Sequence, residues 1–226
     1  MSSKCKFICF HGIDGSGKTS QATALLEKFQ AAGIKSKYVW IGWSPTILKP
    51  ITKVIKRSVF RKKEVRADDY LNVKQVKKEY FKNTRFKALW YSYVLIDYYS
   101  QIFIKIILPK LFGNTIICDR YVHDVLIGLS INFGWRMDEL KDKYRDVLVK
   151  IFPVPDVTIF IDIPEDVAFK RKDDIPAVEF LYDRRNVYLE LFKSLDVNII
   201  DGDRSFNEIH NEIIKIIKEK EPRLNK

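Results

Sequence analysis

The chain has 226 residues, of which 46% are hydrophobic and 31% are charged, and a formal net charge of +11. This composition excludes a disordered or fibrous class, and the length suits one domain with a sizeable core. The chain has an odd number of cysteines, and their spacing fits no metal site: Cys5, Cys9 and Cys118. We therefore expect reduced core cysteines and a cytoplasmic protein.

The predicted elements alternate between strand and helix along the chain. Largely apolar runs predict five strands, at 6–10, 37–41, 115–118, 157–163 and 197–200. Such runs are typical of a parallel sheet that helices cover on both faces. The pattern predicts a single three-layer α/β domain over residues 1–226.

Three helices carry recognisable start or stop signals. The first is predicted over 21–32, where apolar residues recur at helical spacing and Gly33 follows as a stop. The helix after the fourth strand is predicted to start at Pro164. The last helix is predicted to start at Ser205, whose spacing to Glu208 is that of a capping box.

The most apolar segment, ALWYSYVLIDYYSQIFIKIILPKLF, covers residues 88–112. Asp97 and Lys105 interrupt it, so no uncharged stretch reaches the roughly 18 residues that a membrane span needs. The segment therefore predicts a long helix buried inside the protein, with no membrane partner.

The loop after the first strand reads GIDGSGKT, from Gly12 to Thr19, and fits the pattern G-x-x-x-x-G-K-[ST]. The glycines allow backbone N–H groups to surround a phosphate, and the following helix directs its positive end at the same anion. Lys18 can reach the β- and γ-phosphates, and the Thr19 hydroxyl can bind Mg²⁺. The predicted nucleotide-binding residues are Gly12, Gly15, Ser16, Gly17, Lys18, Thr19 and Ser20.

A second candidate site follows the third strand, in the segment TIICDRY. Asp119 would lie at the carboxyl end of a buried strand, which is the edge of a parallel sheet at which ligands bind. A carboxylate there can hold Mg²⁺, and Arg120 can bind a phosphate through two hydrogen bonds. The alternative is an ion pair at a helix start, but the neighbouring phosphate loop favours a functional site.

Basic residues that could close over the γ-phosphate follow the fourth strand. The segment AFKRKDD places Arg171 near a helix end, and the next helix carries Arg184 and Arg185. Phosphoryl transfer depends on positioning and charge neutralisation, so mobile arginines suit a lid, predicted at about 171–178. The sequence contains no N-K-x-D guanine motif, which favours a small phosphotransferase over a GTPase.

In their order along the chain, these segments resemble the thymidylate kinase family of nucleoside monophosphate kinases. The resemblance covers most of the chain and lies in FHGIDGSGKTSQ, ILPKLFGNTIICDRY, PDVTIFIDIPEDVAFKRK, VYLEL and IIDGDRSFNEIHNEI. It implies a P-loop NTPase-type fold with strand order 2-3-1-4-5 and a short lid. It also implies transfer of the ATP γ-phosphoryl group to a nucleoside monophosphate, with dTMP as the expected acceptor, Mg²⁺ dependence and often a homodimer.

The resemblance further implies roles for individual residues. The catalytic set would be Lys18, Asp14, Arg120 and Arg171. The metal would be held by Thr19 and Asp119. The residues expected to bind the acceptor are Asp14, Arg120, Tyr121, Asp97 and Asp124.

Two segments depart from the family's pattern and leave an alternative open. WIGWSP (40–45) stands where the family has Arg-Glu-Pro, and VHDVLIGLS (122–130) stands where it carries a serine and a Tyr-Gln pair. These departures favour a kinase of a nucleoside or another metabolite on the same fold.

The positive charge is concentrated in a predicted basic helical region over about 44–87, on the acceptor side. Residues 53–87 hold thirteen Lys or Arg and four Asp or Glu, a net of +9. The simplest interpretation is a solvated helical face. The alternatives are an acceptor larger than a mononucleotide, or a nucleic-acid-binding P-loop protein, since basic segments with interleaved aromatic residues bind such polyanions.

Overall fold

The protein is described by a computed structural model over residues 6–42, 44–46, 49 and 70–221. Its sheet has five parallel strands in the order β2-β3-β1-β4-β5. The predicted strands and their order are confirmed, and every strand boundary lies within one residue of its prediction. The strands are β1 (Phe7–His11), β2 (Ser36–Trp40), β3 (Thr115–Asp119), β4 (Val157–Asp162) and β5 (Asn198–Asp201).

Helices cover both faces of the sheet. They are α1 (Lys18–Ala31), α2 (Tyr70–Tyr80), α3 (Thr84–Ile102), α4 (Leu108–Leu111), α5 (Val122–Phe133), α6 (Met137–Ile151), α7 (Glu165–Lys170), α8 (Val178–Phe192) and α9 (Phe206–Lys220). A π-helical segment, Phe103–Ile107, joins α3 to α4. Pro109 follows it and has no N–H for the carbonyl of Lys105, so regular α-helical bonding is interrupted there.

The central strand β1 contributes side chains to both faces. Ile8 and Phe10 pack against α1 and α9, whereas Phe7 and Cys9 pack against α3 and α5 on the opposite face. This alternation follows from the two-residue period of a strand. Helices α1 and α5 follow the adjacent strands β1 and β3 on opposite faces, so a crevice opens at the carboxyl ends of these two strands.

The predicted helix signals have their expected geometry. Gly33 follows α1 with a φ of 68°, and its N–H and that of Ile34 donate to carbonyls of the last turn, as in a helix stop. The capping box of Ser205 and Glu208 is present at the start of α9. Pro164 is the residue before the first helical one, Glu165, rather than the first helical residue.

The long apolar segment forms α3 and the elements after it. Val94, Tyr98 and Ile102 are buried in the core against the sheet. Among the described residues, no helix is long and apolar enough to cross a membrane.

Candidate active site

A cleft of about 990 Å³ lies at the carboxyl edge of the sheet, where β1 and β3 end. At one end it is lined by the phosphate loop and by charged residues from three other segments: Asp14, Gly15, Gly17, Lys18, Thr19, Ser20, Asp119, Arg120, Asp124, Arg171, Lys172 and Arg184. Its other end is largely apolar and is lined by Trp40, Phe81, Trp90, Val125, Leu129 and Asn132, among others. The predicted donor and acceptor sites therefore open into one cavity.

The phosphate loop depends on glycine at defined positions. Gly12, Gly15 and Gly17 have positive φ angles of 152°, 85° and 82°, a region that side chains disfavour. A Cβ on Gly15 would lie 2.3 Å from the carbonyl oxygen of Ala168 in α7. Two of the predicted nucleotide-binding residues, Gly12 and Ser16, do not line the cleft. Ser16 is only 2% exposed. The loop is thus packed against α7 by a contact that only glycine permits.

Lys18 is buried at the base of the loop. Its Nζ donates to the carbonyl of Ile13 at 3.0 Å. Burial, and then the nearby Arg120, lower the pKa of Lys18 to about 8, although Asp119 and Asp14 act in the opposite direction. Because burial disfavours the ammonium, an anionic phosphate beside it would be bound strongly.

Asp119 is fully buried at the end of β3. Its Oδ2 accepts hydrogen bonds from the Thr19 hydroxyl at 2.5 Å and from the Tyr38 hydroxyl at 3.0 Å. In the described part of the chain, its Oδ1 has no hydrogen-bond partner. A hydroxyl and a carboxylate with an unused oxygen, facing a phosphate loop, are the hard oxygen donors that suit Mg²⁺.

Arg120 connects two carboxylates of the cleft. It adopts a φ of 67°, which is rare for a residue other than glycine and persists where the surroundings hold it. Its Nη2 donates to Asp14 Oδ1 at 2.5 Å and its Nη1 to Asp124 Oδ1 at 2.6 Å. Burial alone would lower the pKa of Arg120, but its neighbours, Asp124 foremost, raise it, so the guanidinium stays charged inside the cleft.

Both carboxylates stay ionised next to this guanidinium. Burial on its own would raise the pKa of Asp14, but Arg120 and Lys18 lower it overall. Burial acts on Asp124 in the same way, yet Arg120 and a hydrogen bond from His11 hold the pKa of Asp124 well below its usual range. The cleft therefore contains a permanent cluster of opposite charges.

The structure separates the basic residues that the sequence had grouped as lid candidates. Arg184 lines the cleft, and its Nη2 lies 3.7 Å from Asp124 Oδ1. Arg185 instead donates to both oxygens of Asp162, at 2.7 and 3.0 Å, and to Glu165. Arg171 ends α7 beside the cleft and donates to the carbonyl of Gly202 at 3.4 Å. Arg171 and Arg184 line the cleft and can face a ligand, whereas Arg185 does not line it and is paired with Asp162 and Glu165.

Two predicted acceptor-binding residues do not line the cleft. The Tyr121 side chain is buried, and its hydroxyl donates to the carbonyl of Pro153 at 2.9 Å. Asp97 is also buried and accepts from the backbone N–H of Thr46 and the amide of Gln101. Both side chains are hydrogen-bonded to other parts of the protein. The prediction that they bind the acceptor rested only on their positions along the chain.

Other residues of the cleft were missed by sequence reasoning. Trp90 lines the apolar end from α3, and Phe81, an aromatic residue of the predicted basic region, lines it as well. Tyr38 reaches Asp119 from the neighbouring strand β2. The sequence indicated only that Tyr38 lies in a strand. Its contact with Asp119 could not be predicted, because Asp119 lies 81 residues away in the sequence.

The basic region is only partly described. Residues 47–48 and 50–69 of the predicted span of about 44–87 lie outside the described residues. Within the described part, Lys77 of α2 lines the cleft. Lys74 and Tyr70 of the same helix both contact Asp183 of α8, so α2 is attached to the helix that carries Arg184.

A phosphate loop, a buried carboxylate at the end of the adjacent strand and several arginines facing one cleft define a P-loop phosphotransferase fold. Residues 10–213 match the family model described as "Thymidylate kinase". The chain belongs to the thymidylate kinase family, which confirms the resemblance seen in the sequence motifs.

Curated thymidylate kinases are similar to this chain over nearly its full length. The chain is 28% identical to a probable thymidylate kinase of Methanocaldococcus jannaschii, over 94% of this chain and 95% of the relative. It is 26% identical to a thymidylate kinase of Wolbachia pipientis subsp. Culex pipiens, over 95% of this chain and 96% of the relative. It is 27% identical to a probable thymidylate kinase of Pyrococcus horikoshii, over 94% of this chain and 95% of the relative.

The contact between the loop and α7 leads to a first prediction. Gly15→Ala should weaken ATP binding at least about tenfold, because the added Cβ must displace either the loop or the backbone at Ala168. Titration calorimetry of ATP measures the effect. Gly33→Ala is the matched control, since it has a similar φ of 68° but open space around its Cβ. Equal ATP affinity in the two variants would contradict the packing argument.

Proposed function

We propose that this chain transfers the γ-phosphoryl group of ATP to dTMP, forming ADP and the nucleoside diphosphate. The observation that carries the proposal is the single cleft shared by the phosphate loop and Arg120, in a chain of the thymidylate kinase family. The relatives named as thymidylate kinases support dTMP as the acceptor. The apolar end, with Trp90 and Phe81, suits a planar base.

The residues at the charged end divide between the two substrates. Lys18 and the loop N–H groups would bind the β- and γ-phosphates of ATP, and Arg120 would bind the acceptor phosphate. A guanidinium has five N–H donors, so its two ion pairs leave others for that phosphate. In the transfer, an acceptor phosphate oxygen attacks the γ-phosphorus while the bond to the β–γ bridging oxygen breaks.

Mg²⁺ fits the oxygen atoms at the base of the loop. Thr19 and Asp119 would hold the ion, directly or through water, and the unpartnered Oδ1 of Asp119 supports this assignment. The ion would neutralise phosphate charge during transfer. Asp14, close to Arg120 and Lys18, would lie near the ion and the acceptor phosphate.

The direct test is a coupled assay of ADP release with a panel of acceptors. We expect the highest kcat/KM with dTMP, compared with the other deoxy- and ribonucleoside monophosphates, free nucleosides and a 5′-hydroxyl oligonucleotide. Activity on nucleosides alone would favour the metabolite-kinase alternative, and activity on the oligonucleotide the nucleic-acid alternative. Failure to phosphorylate any monophosphate would contradict the proposed function.

Arg184 and Arg185 form a matched pair for testing charge stabilisation. Arg184→Met should lower kcat about 100-fold, as loss of one donor to the transition state typically does. Arg185→Met should leave kcat within about threefold and instead lower the free energy of unfolding by about 1 kcal/mol, because its ion pairs are partly exposed. Steady-state kinetics and urea unfolding measure both variants. The reverse pattern would place Arg185 at the reacting phosphate.

We also propose that the protein forms a homodimer through α3. Leu89 and Ile96 of α3 and Phe103, the first residue of the π-helical segment after it, are exposed by 71%, 65% and 45%. They are spaced seven residues apart, a spacing that keeps them on one side of a helix. Exposed apolar stripes of this kind are typical of interfaces. For location, the free and buried Cys9 and Cys118 support a reducing, cytoplasmic compartment.

Gel filtration with light scattering tests the dimer. The wild type should have twice the chain mass, and Ile96→Glu should shift the protein to the monomer because a buried unpaired carboxylate is costly. Ile199→Glu, at an exposed apolar residue of β5, serves as the control and should leave the mass unchanged. A wild-type mass equal to one chain at micromolar concentration would rule out this dimer.

A further inference from the structure

Asp124 has both carboxylate oxygens occupied by protein groups. Its Oδ1 accepts from Arg120 at 2.6 Å and lies 3.7 Å from Arg184, and its Oδ2 accepts from His11 at 2.9 Å. Oδ2 also accepts from the backbone N–H of Tyr121 at 3.3 Å. The side chain is only 3% exposed. An ionised carboxylate in this setting repels a phosphate, so the predicted role of Asp124 in direct acceptor binding does not suit its surroundings.

His11 holds the other side of this carboxylate. It is the last residue of β1, directly before the phosphate loop, and is fully buried. An ionised Asp124 can only accept hydrogen bonds, so Nδ1 of His11 must carry the hydrogen. Within the described residues, Nε2 of His11 has no hydrogen-bond partner. Among the described residues, the hydrogen bond of the imidazole is therefore the one to Asp124.

The connection links the two halves of the cleft. His11 belongs to the strand that leads into the ATP loop, and Arg120 follows the neighbouring strand β3. Asp124 lies 113 residues after His11 in the sequence. Through Asp124, the position of the loop strand is thus connected to the position of the two arginines that face the cleft.

We propose that His11 and Asp124 are positioning residues that fix Arg120, and with it Arg184, for the acceptor phosphate. This inference rests on the proposed function. Asp124 supplies the charge that holds Arg120 despite its φ of 67°, and His11 fixes the rotamer of Asp124 by a buried hydrogen bond. Neither side chain contacts a substrate. Their loss would leave Arg120 paired with Asp14 alone and misplace the acceptor phosphate relative to the loop.

The test compares two substitutions at His11 and one at Asp124, using the full chain. His11→Leu removes the donor and should raise the KM for dTMP at least about tenfold, while the KM for ATP changes less than about twofold. His11→Asn can present an amide N–H where Nδ1 lies and should restore the KM for dTMP to within about threefold of wild type. Asp124→Asn keeps the shape and should raise the KM for dTMP as His11→Leu does.

His123 provides the matched control. It is also buried, stacks edge-on against His11 at 4.5 Å between ring centroids, and contacts the Tyr144 hydroxyl rather than Asp124. His123→Leu should reduce thermal stability without a selective change in the KM for dTMP. A purely structural role for His11 would make the two leucine variants alike.

The outcomes separate this inference from the proposed function. A selective rise in the KM for dTMP with rescue by asparagine supports the inference. Equal rises for ATP and dTMP, or an unchanged KM for dTMP in Asp124→Asn, overturn it. Should His11→Leu fail to fold, Asp124→Asn against wild type still decides. Absence of transfer to any monophosphate by the wild type would contradict the proposed function and this inference together.

Discussion

The arrangement of the cleft depends on one buried guanidinium between two carboxylates. Arg120 holds Asp14 of the phosphate loop with one nitrogen and Asp124 of α5 with another. Breaking one such buried pair would leave an uncompensated charge, which is strongly destabilising. The loop, the end of β3 and the start of α5 are therefore fixed relative to one another before any ligand binds.

This junction links the donor side of the cleft to its acceptor side. In the proposed reaction the donor phosphates would meet backbone N–H groups and Lys18, whose positions follow from the geometry of the loop. The acceptor phosphate would meet Arg120, whose position depends on side chains from β1, the loop and α5. Arg184, from a helix that also holds α2 through Asp183, adds a cation to the same cleft. Preorganised charges of this kind need little rearrangement during transfer.

The sheet and the phosphate loop could be predicted from the sequence because their signals are local. Apolar runs marked all five strands, and one eight-residue pattern marked the loop. The contacts of His11, Tyr38 and Arg184 could not, because their partners lie 113, 81 and 60 residues away. Asp97 and Tyr121 show the converse: position along the chain suggested substrate contacts, while burial directs both side chains to backbone groups.

The most direct measurement of the central claim is a crystal structure with an analogue that joins adenosine and thymidine through five phosphates. We predict that a phosphate next to the thymidine lies within about 3 Å of the Arg120 guanidinium, with Asp124 still bonded to both Arg120 and His11. The adenosine-side phosphates should occupy the loop at Lys18. A thymidine-side phosphate held elsewhere, with Arg120 in contact only with the two carboxylates, would contradict the account.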